Sequence, residues 1–208
     1  MREIVPTPTG PAWVELDTPL DPPIALLLLG HGAGGTVDAP DLLAVRAAAL
    51  AAGCTVARIT QPYRVAGRRA PAPAARLDEA WLAVVGHLVR RPELAALPRV
   101  VAGRSSGARV ACRTATAVGA LGVIALAFPW HPPGKPDRTR ADELARLQAP
   151  VLVVQGDRDP FGRPVIAPGR TVAIIAGADH SLKQDPAAVG ALVVEFVTTL
   201  VGRARIHP

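Results

Sequence analysis

From residue 24 onward, short continuous apolar runs alternate with longer stretches of helical periodicity. The runs fall at 24–29, 55–60, 99–102, 122–127, 151–155 and 171–175. Strands covered on both faces have this look, because neither side alternates with solvent. Between them the pattern predicts helices over 40–52, 76–90 and 106–118, and a shorter one over 140–148. A last helix is the clearest: Asp185 can cap it, Pro186 suits its first turn, and Val189, Leu192, Val193, Phe196, Val197, Leu200 and Val201 make one apolar stripe. Strand and helix in strict alternation argue for an α/β fold with a mostly parallel, doubly wound sheet. The opening segment, residues 1–20, reads as a possible antiparallel edge hairpin built from 3–5 and 12–16.

Length and composition narrow this picture. The 208 residues fit one domain spanning 1–208, large enough to bury a real core. No apolar run approaches the span of a bilayer, and residues 1–6 lack the apolar core of a signal peptide. With only Cys54 and Cys112 present, no disulfide framework is implied and a cytoplasmic location is expected. The net charge is +6, carried almost wholly by arginine. These arginines are dispersed and lack interleaved aromatics, so neither nucleic acid nor a membrane is expected as a partner. The densest group, Arg64, Arg68, Arg69 and Arg76, reads as solvated loop surface.

Parallel sheets carry their chemistry at the C-terminal ends of the strands. Those ends read, in order, His31-Gly32-Ala33-Gly34-Gly35, Gly103-Arg104-Ser105-Ser106-Gly107, Gly156-Asp157-Arg158-Asp159-Pro160 and Gly177-Ala178-Asp179-His180. Gly-x-Ser-x-Gly between a strand and a helix presents its serine on a sharp turn, and the order Ser, acid, His belongs to the α/β-hydrolase triad. Ser105 is the expected nucleophile and His180 the general base. Asp159 is favoured over Asp157 as the acid, since Pro160 holds it extended and it sits further from the strand end. The amides of Ala33 and Ser106 are the expected oxyanion donors. His31 is expected to shape the oxyanion turn, and both His31 and His131 are candidate substrate contacts. Such chemistry needs no cofactor, and no cluster of residues has metal-ligand spacing.

Five blocks resemble the KANL3/Tex30-like group of α/β-hydrolases, and more loosely dienelactone-hydrolase-like proteins. They are Gly30 to Gly35, Gly103 to Arg109, Phe128-Pro129-Trp130-His131-Pro132-Pro133-Gly134-Lys135-Pro136, Gln155 to Gly162, and Gly177 to Lys183. The resemblance implies an α/β-hydrolase fold without a cap domain, with Ser105, Asp159 and His180 as its triad. Only about two dozen residues separate the runs at 122–127 and 151–155, too few for a folded lid. The expected activity is a serine hydrolase cleaving an ester, thioester or related acyl bond of a small-molecule substrate. The alternative is a binding or scaffold module on the same fold. Ser106 departs from the methionine often found in that group, which leaves the backbone amide unchanged.

Overall fold

The computed structural model describes residues 2–206. In chain order its elements are β1 (Arg2–Val5), β2 (Ala12–Asp17), β3 (Ala25–Gly30), α1 (Pro40–Ala51), β4 (Cys54–Thr60), α2 (Pro62–Val65), α3 (Ala74–Leu88) and α4 (Pro92–Ala95). They continue with β5 (Arg99–Arg104), α5 (Ser106–Thr114), β6 (Gly122–Leu126), α6 (Ala141–Ala145), β7 (Val151–Gly156), β8 (Arg170–Ile175) and α7 (Pro186–Ile206). The strands make one sheet in the order β1-β2-β4-β3-β5-β6-β7-β8. β1 pairs antiparallel with β2, and β2 antiparallel with β4. Every later pairing is parallel. This is the α/β-hydrolase fold.

The unbroken apolar runs have a direct structural cause. Within β3, Leu26 and Leu28 enter one buried cluster while Leu27 and Leu29 enter the other. The same split recurs in β5, β6 and β7, with Val101, Val123 and Val153 on one side and Val100, Ile124 and Val154 on the other. The first face is covered by α3 and α5, through Leu77, Trp81, Val84, Ala108 and Ala111. The second is covered by α1 and α7, through Leu42, Val45, Val189, Val193 and Val197. α7 has the length and apolar composition to cross a bilayer, but here its stripe lies in that core. Gly190 allows it close to α1, where a Cβ would stand 3.2 Å from the Ala44 carbonyl oxygen. Asp185 Oδ1 accepts the Ala188 amide at 2.9 Å and so caps the helix.

Two helices are shorter than their periodicity implied. α5 stops at Thr114, because the chain tightens into turns closed by Gly119, at φ +61°, and by the Ala120 N–H donating to Ala115. α6 keeps only residues 141–145 of the expected 140–148. α2 and α4, missed by the periodicity, are single turns that each begin with a proline. Between β6 and β7 the chain holds nothing larger than α6, so no cap covers the strand ends.

Candidate active site

β5 passes into α5 through one strained residue. Ser105 has φ 53° and ψ −109°, a region that non-glycine residues seldom adopt, and its N–H donates to the Leu126 carbonyl at 2.9 Å. The flanking glycines are forced by contact. A Cβ on Gly103 would stand 2.4 Å from the Gly107 carbonyl carbon, and one on Gly107 would stand 2.7 Å from the carbonyl oxygens of Gly30 and His31. The sharp turn therefore exists only because β5, α5 and the end of β3 touch backbone to backbone.

Above this turn, loops from three strand ends converge. Ser105 Oγ lies 2.9 Å from His180 Nε2, and His180 Nδ1 lies 2.8 Å from Asp159 Oδ2. The carboxylate fixes the proton on Nδ1, leaving Nε2 to accept from the serine hydroxyl. The Asp159 side chain is wholly buried while that of His180 is 23% exposed. Asp159 is held from three directions, since Oδ1 accepts the Phe161 amide at 2.9 Å and Oδ2 also accepts Gln155 Nε2 at 2.8 Å. Asp157, the competing acid, is exposed and makes no contact of this kind. Asp179 turns away from the imidazole to bind the amide and hydroxyl of Ser181. The Phe161 ring lies against the His180 ring, centroids 4.1 Å apart.

The glycine-rich turn after β3 is fixed by His31. Its Nδ1 donates to the Gly32 carbonyl at 2.8 Å, and its Nε2 accepts the Gln61 amide at 3.0 Å. Burial, opposed by the hydrogen bond to Gly32 and seconded by Arg64 and Arg104, pushes its pKa below the ordinary histidine value. The Gly32 carbonyl and the Ala33 N–H are opposite ends of one trans peptide, so holding the oxygen aims the N–H. Gly35 adds a second donor to that oxygen, and Tyr63 Oη donates to the Ala33 carbonyl at 2.7 Å. With both nitrogens bonded inside the protein, His31 shapes the turn and has no ring atom to offer a substrate. His131 is held by its own loop. Its Nδ1 donates to the Pro132 carbonyl, its N–H to the Phe161 carbonyl, and its Nε2 abuts Gly162, so it packs the loop that carries Asp159.

A buried ion pair backs the same turn. The Arg104 guanidinium lies over Gly32 and Gly35, with Nη2 3.2 and 3.1 Å from where their Cβ atoms would stand. Its Nε is 3.8 Å from Asp41 Oδ2, beyond hydrogen-bond range. Asp41 is wholly buried, and that burial outweighs Arg104 in raising its carboxyl pKa above the usual range. Sequence patterning did not single out Gln155, Phe161, Tyr63 or the Arg104–Asp41 pair as parts of the site. Only Gln155 left a trace, as the one polar side chain closing the apolar run of β7. Among the described residues no cluster of His, Cys, Asp or Glu has the arrangement of a metal site.

This fold and arrangement define an α/β-hydrolase. Residues 23–191 match the family model of the alpha/beta hydrolase domain, and the chain belongs to that family. It is similar in structure to Est1E from Butyrivibrio proteoclasticus, at 17% identity over 97% of this chain and 99% of that one, with a TM-score of 0.78. A serine hydrolase without a lid from Xanthomonas campestris is 22% identical over 96% and 94%, with a TM-score of 0.73. A dienelactone hydrolase from Anabaena variabilis is 18% identical over 96% of both chains, with a TM-score of 0.75. No curated protein matches the chain in sequence.

Proposed function

We propose that this protein is a serine hydrolase that cleaves an ester, thioester or related acyl bond of a small or exposed substrate. The observation that carries the reading is the continuous hydrogen-bonded line from Ser105 through His180 to Asp159. A serine hydroxyl is a weak nucleophile until a base takes its proton. Here His180 Nε2 accepts that proton as Ser105 Oγ bonds to the acyl carbon, and Asp159 stabilises the imidazolium without being protonated itself. The carbonyl oxygen, now anionic, receives the N–H groups of Ser106 and Ala33. The first lies at the start of α5, where helical N–H groups lack intrahelical acceptors and the dipole favours negative charge. Collapse of this intermediate breaks the bond to the alcohol or thiol, which leaves with the proton from His180. Water then repeats the sequence on the acyl-enzyme and frees the acid.

The absence of a folded element larger than α6 between β6 and β7 supports an open site. The blocks running from Gly30 to Lys183 support placing the protein nearer the KANL3/Tex30-like group than other α/β-hydrolases. The test is covalent labelling with a fluorophosphonate probe, run beside hydrolysis of a short-chain 4-nitrophenyl ester. Wild type should label and hydrolyse, and Ser105→Ala should lose labelling and at least about a thousandfold in kcat. A folded wild type that does neither would overturn the reading.

A further inference from the structure

Between α2 and α3 the chain forms a rim around a groove of about 680 Å³. Arg68, Arg69 and Arg76 line it, and no carboxylate does. Several arginines elsewhere are paired with a carboxylate, as Arg46 is with Asp17, Arg58 with Glu15, Arg109 with Glu143 and Arg113 with Asp78. Among the described residues the three groove arginines have no such partner. Three like charges around one concavity leave a positive potential that only an incoming anion relieves.

Two features set this groove apart from solvated surface. First, its rim is built. Gly67, at φ +76°, turns the chain out of α2, the Arg68 N–H donates to the Tyr63 carbonyl at 2.9 Å, and Arg64 Nη1 donates to the Arg68 carbonyl at 3.0 Å. Pro71 and Pro73 then restrict the backbone, so less order remains to be imposed on binding. Second, the groove shares buried lining residues with the region beside the serine turn. Gln61, Tyr63 and Leu77 line both the groove and a small cleft walled by His31 and Ser106, and the Tyr63 hydroxyl holds the Ala33 carbonyl.

We propose that this groove is a subsite for a carboxylate or phosphate carried by the substrate, so that the acyl compound cleaved at Ser105 is an anion. Guanidinium forks pair with either oxyanion in bidentate fashion. The cleavage half of this statement rests on the serine-hydrolase reading, whereas anion recognition by the groove stands apart from it.

Binding to Ser105→Ala, which holds esters without turning them over, tests the groove by calorimetry. Mono-4-nitrophenyl glutarate is compared with 4-nitrophenyl pentanoate, and 4-acetoxyphenyl phosphate with 4-methoxyphenyl acetate. At least one anionic compound should bind about tenfold tighter than its neutral partner, as expected for one or two charge-assisted hydrogen bonds. That preference should vanish when Arg68→Ser, Arg69→Ser and Arg76→Ser are combined, and shrink at about 1 M salt, where charges are screened within about 3 Å. The compound that gains identifies carboxylate or phosphate as the group recognised. Equal binding of charged and neutral partners, or a preference that survives the triple substitution, overturns the proposal. Fluorophosphonate labelling of wild type is scored separately, so an unreactive Ser105 with an intact anion preference removes the hydrolase reading and leaves the subsite.

Discussion

Gln155 Nε2 donates to Asp159 Oδ2 at 2.8 Å, the same oxygen that receives the proton on His180 Nδ1. The amide is wholly buried at the end of β7 and also reaches the carbonyls of Phe128 and Gly162. One side chain thus joins the end of the β6 segment to both ends of the loop bearing the acid. A carboxylate held this way has little freedom to rotate away from the imidazole, and the imidazole little freedom to rotate away from Ser105.

Replacing Gln155 by Leu keeps the volume and removes the donor. The expected outcome is a fall of about tenfold or more in kcat with KM little changed, because the lost contact orients the base and does not touch substrate. The same change leaves buried carbonyls unpaired and should cost about 1–3 kcal/mol in stability. Steady-state kinetics on an ester substrate, with thermal melts as control, decide the matter. A Gln155→Leu enzyme with unchanged kcat shows that Asp159 needs no second holder.

The two aspartates of the acid loop are separable by substitution. Asp159→Asn keeps the shape but supplies an amide where His180 Nδ1 needs an acceptor, so kcat should drop by about a hundredfold to ten-thousandfold. Asp157 is exposed, and Asp157→Asn should remain within about twofold of wild type. Equal losses in both variants would remove Asp159 from its place in the proposed line.

Most of the fold was readable from the chain, and the reason is physical. A sheet buried on both faces demands unbroken apolar runs, and a last helix covering it demands a stripe like that of Val189, Val193 and Val197. The site was readable where chemistry constrains residue type and backbone together, as at Gly103, Ser105 and Gly107, or where proline constrains an aspartate. It was not readable where a residue acts through tertiary contact alone. Nothing local to Tyr63 marks it as the donor to Ala33, thirty residues earlier. The same holds for Arg104 at the end of β5, whose partner Asp41 lies on α1, and for His131, whose packing against Gly162 needs two loops to meet. The short turns α2 and α4 escaped because four residues are too few to display a period.

His31 gives the expected acid response of the turn after β3. Its folded pKa lies below the ordinary value near 6.5, chiefly through burial. The neutral ring therefore contributes stability that is fully present above about pH 6.5, and is lost as the pH falls from there to the folded value, because the unfolded chain binds the proton first. Protonation also places a hydrogen on Nε2, opposite the Gln61 N–H that it must accept. Wild type should lose stability over this range and His31→Gln should lose less, although it starts lower. Melts at closely spaced pH values check this. Parallel curves for the two proteins would exclude His31 as the source.

The glycines of the serine turn differ in kind from one in an open helix such as Gly86, and paired substitutions expose the difference. An alanine at Gly103 must push its Cβ into the Gly107 backbone, and neither β5 nor α5 can yield without displacing Ser105. Gly103→Ala should therefore cost about 2–4 kcal/mol and abolish fluorophosphonate labelling even in the fraction that folds. Gly86 sits inside α3 with nothing within 4 Å of its Cβ position. There the same substitution should add about 0.5–1 kcal/mol by helix propensity and leave labelling intact. Denaturant midpoints and labelling rates on both variants are the measurement. A Gly103→Ala protein that labels at the wild-type rate would show that the close approach of β5 and α5 is not what sets the serine.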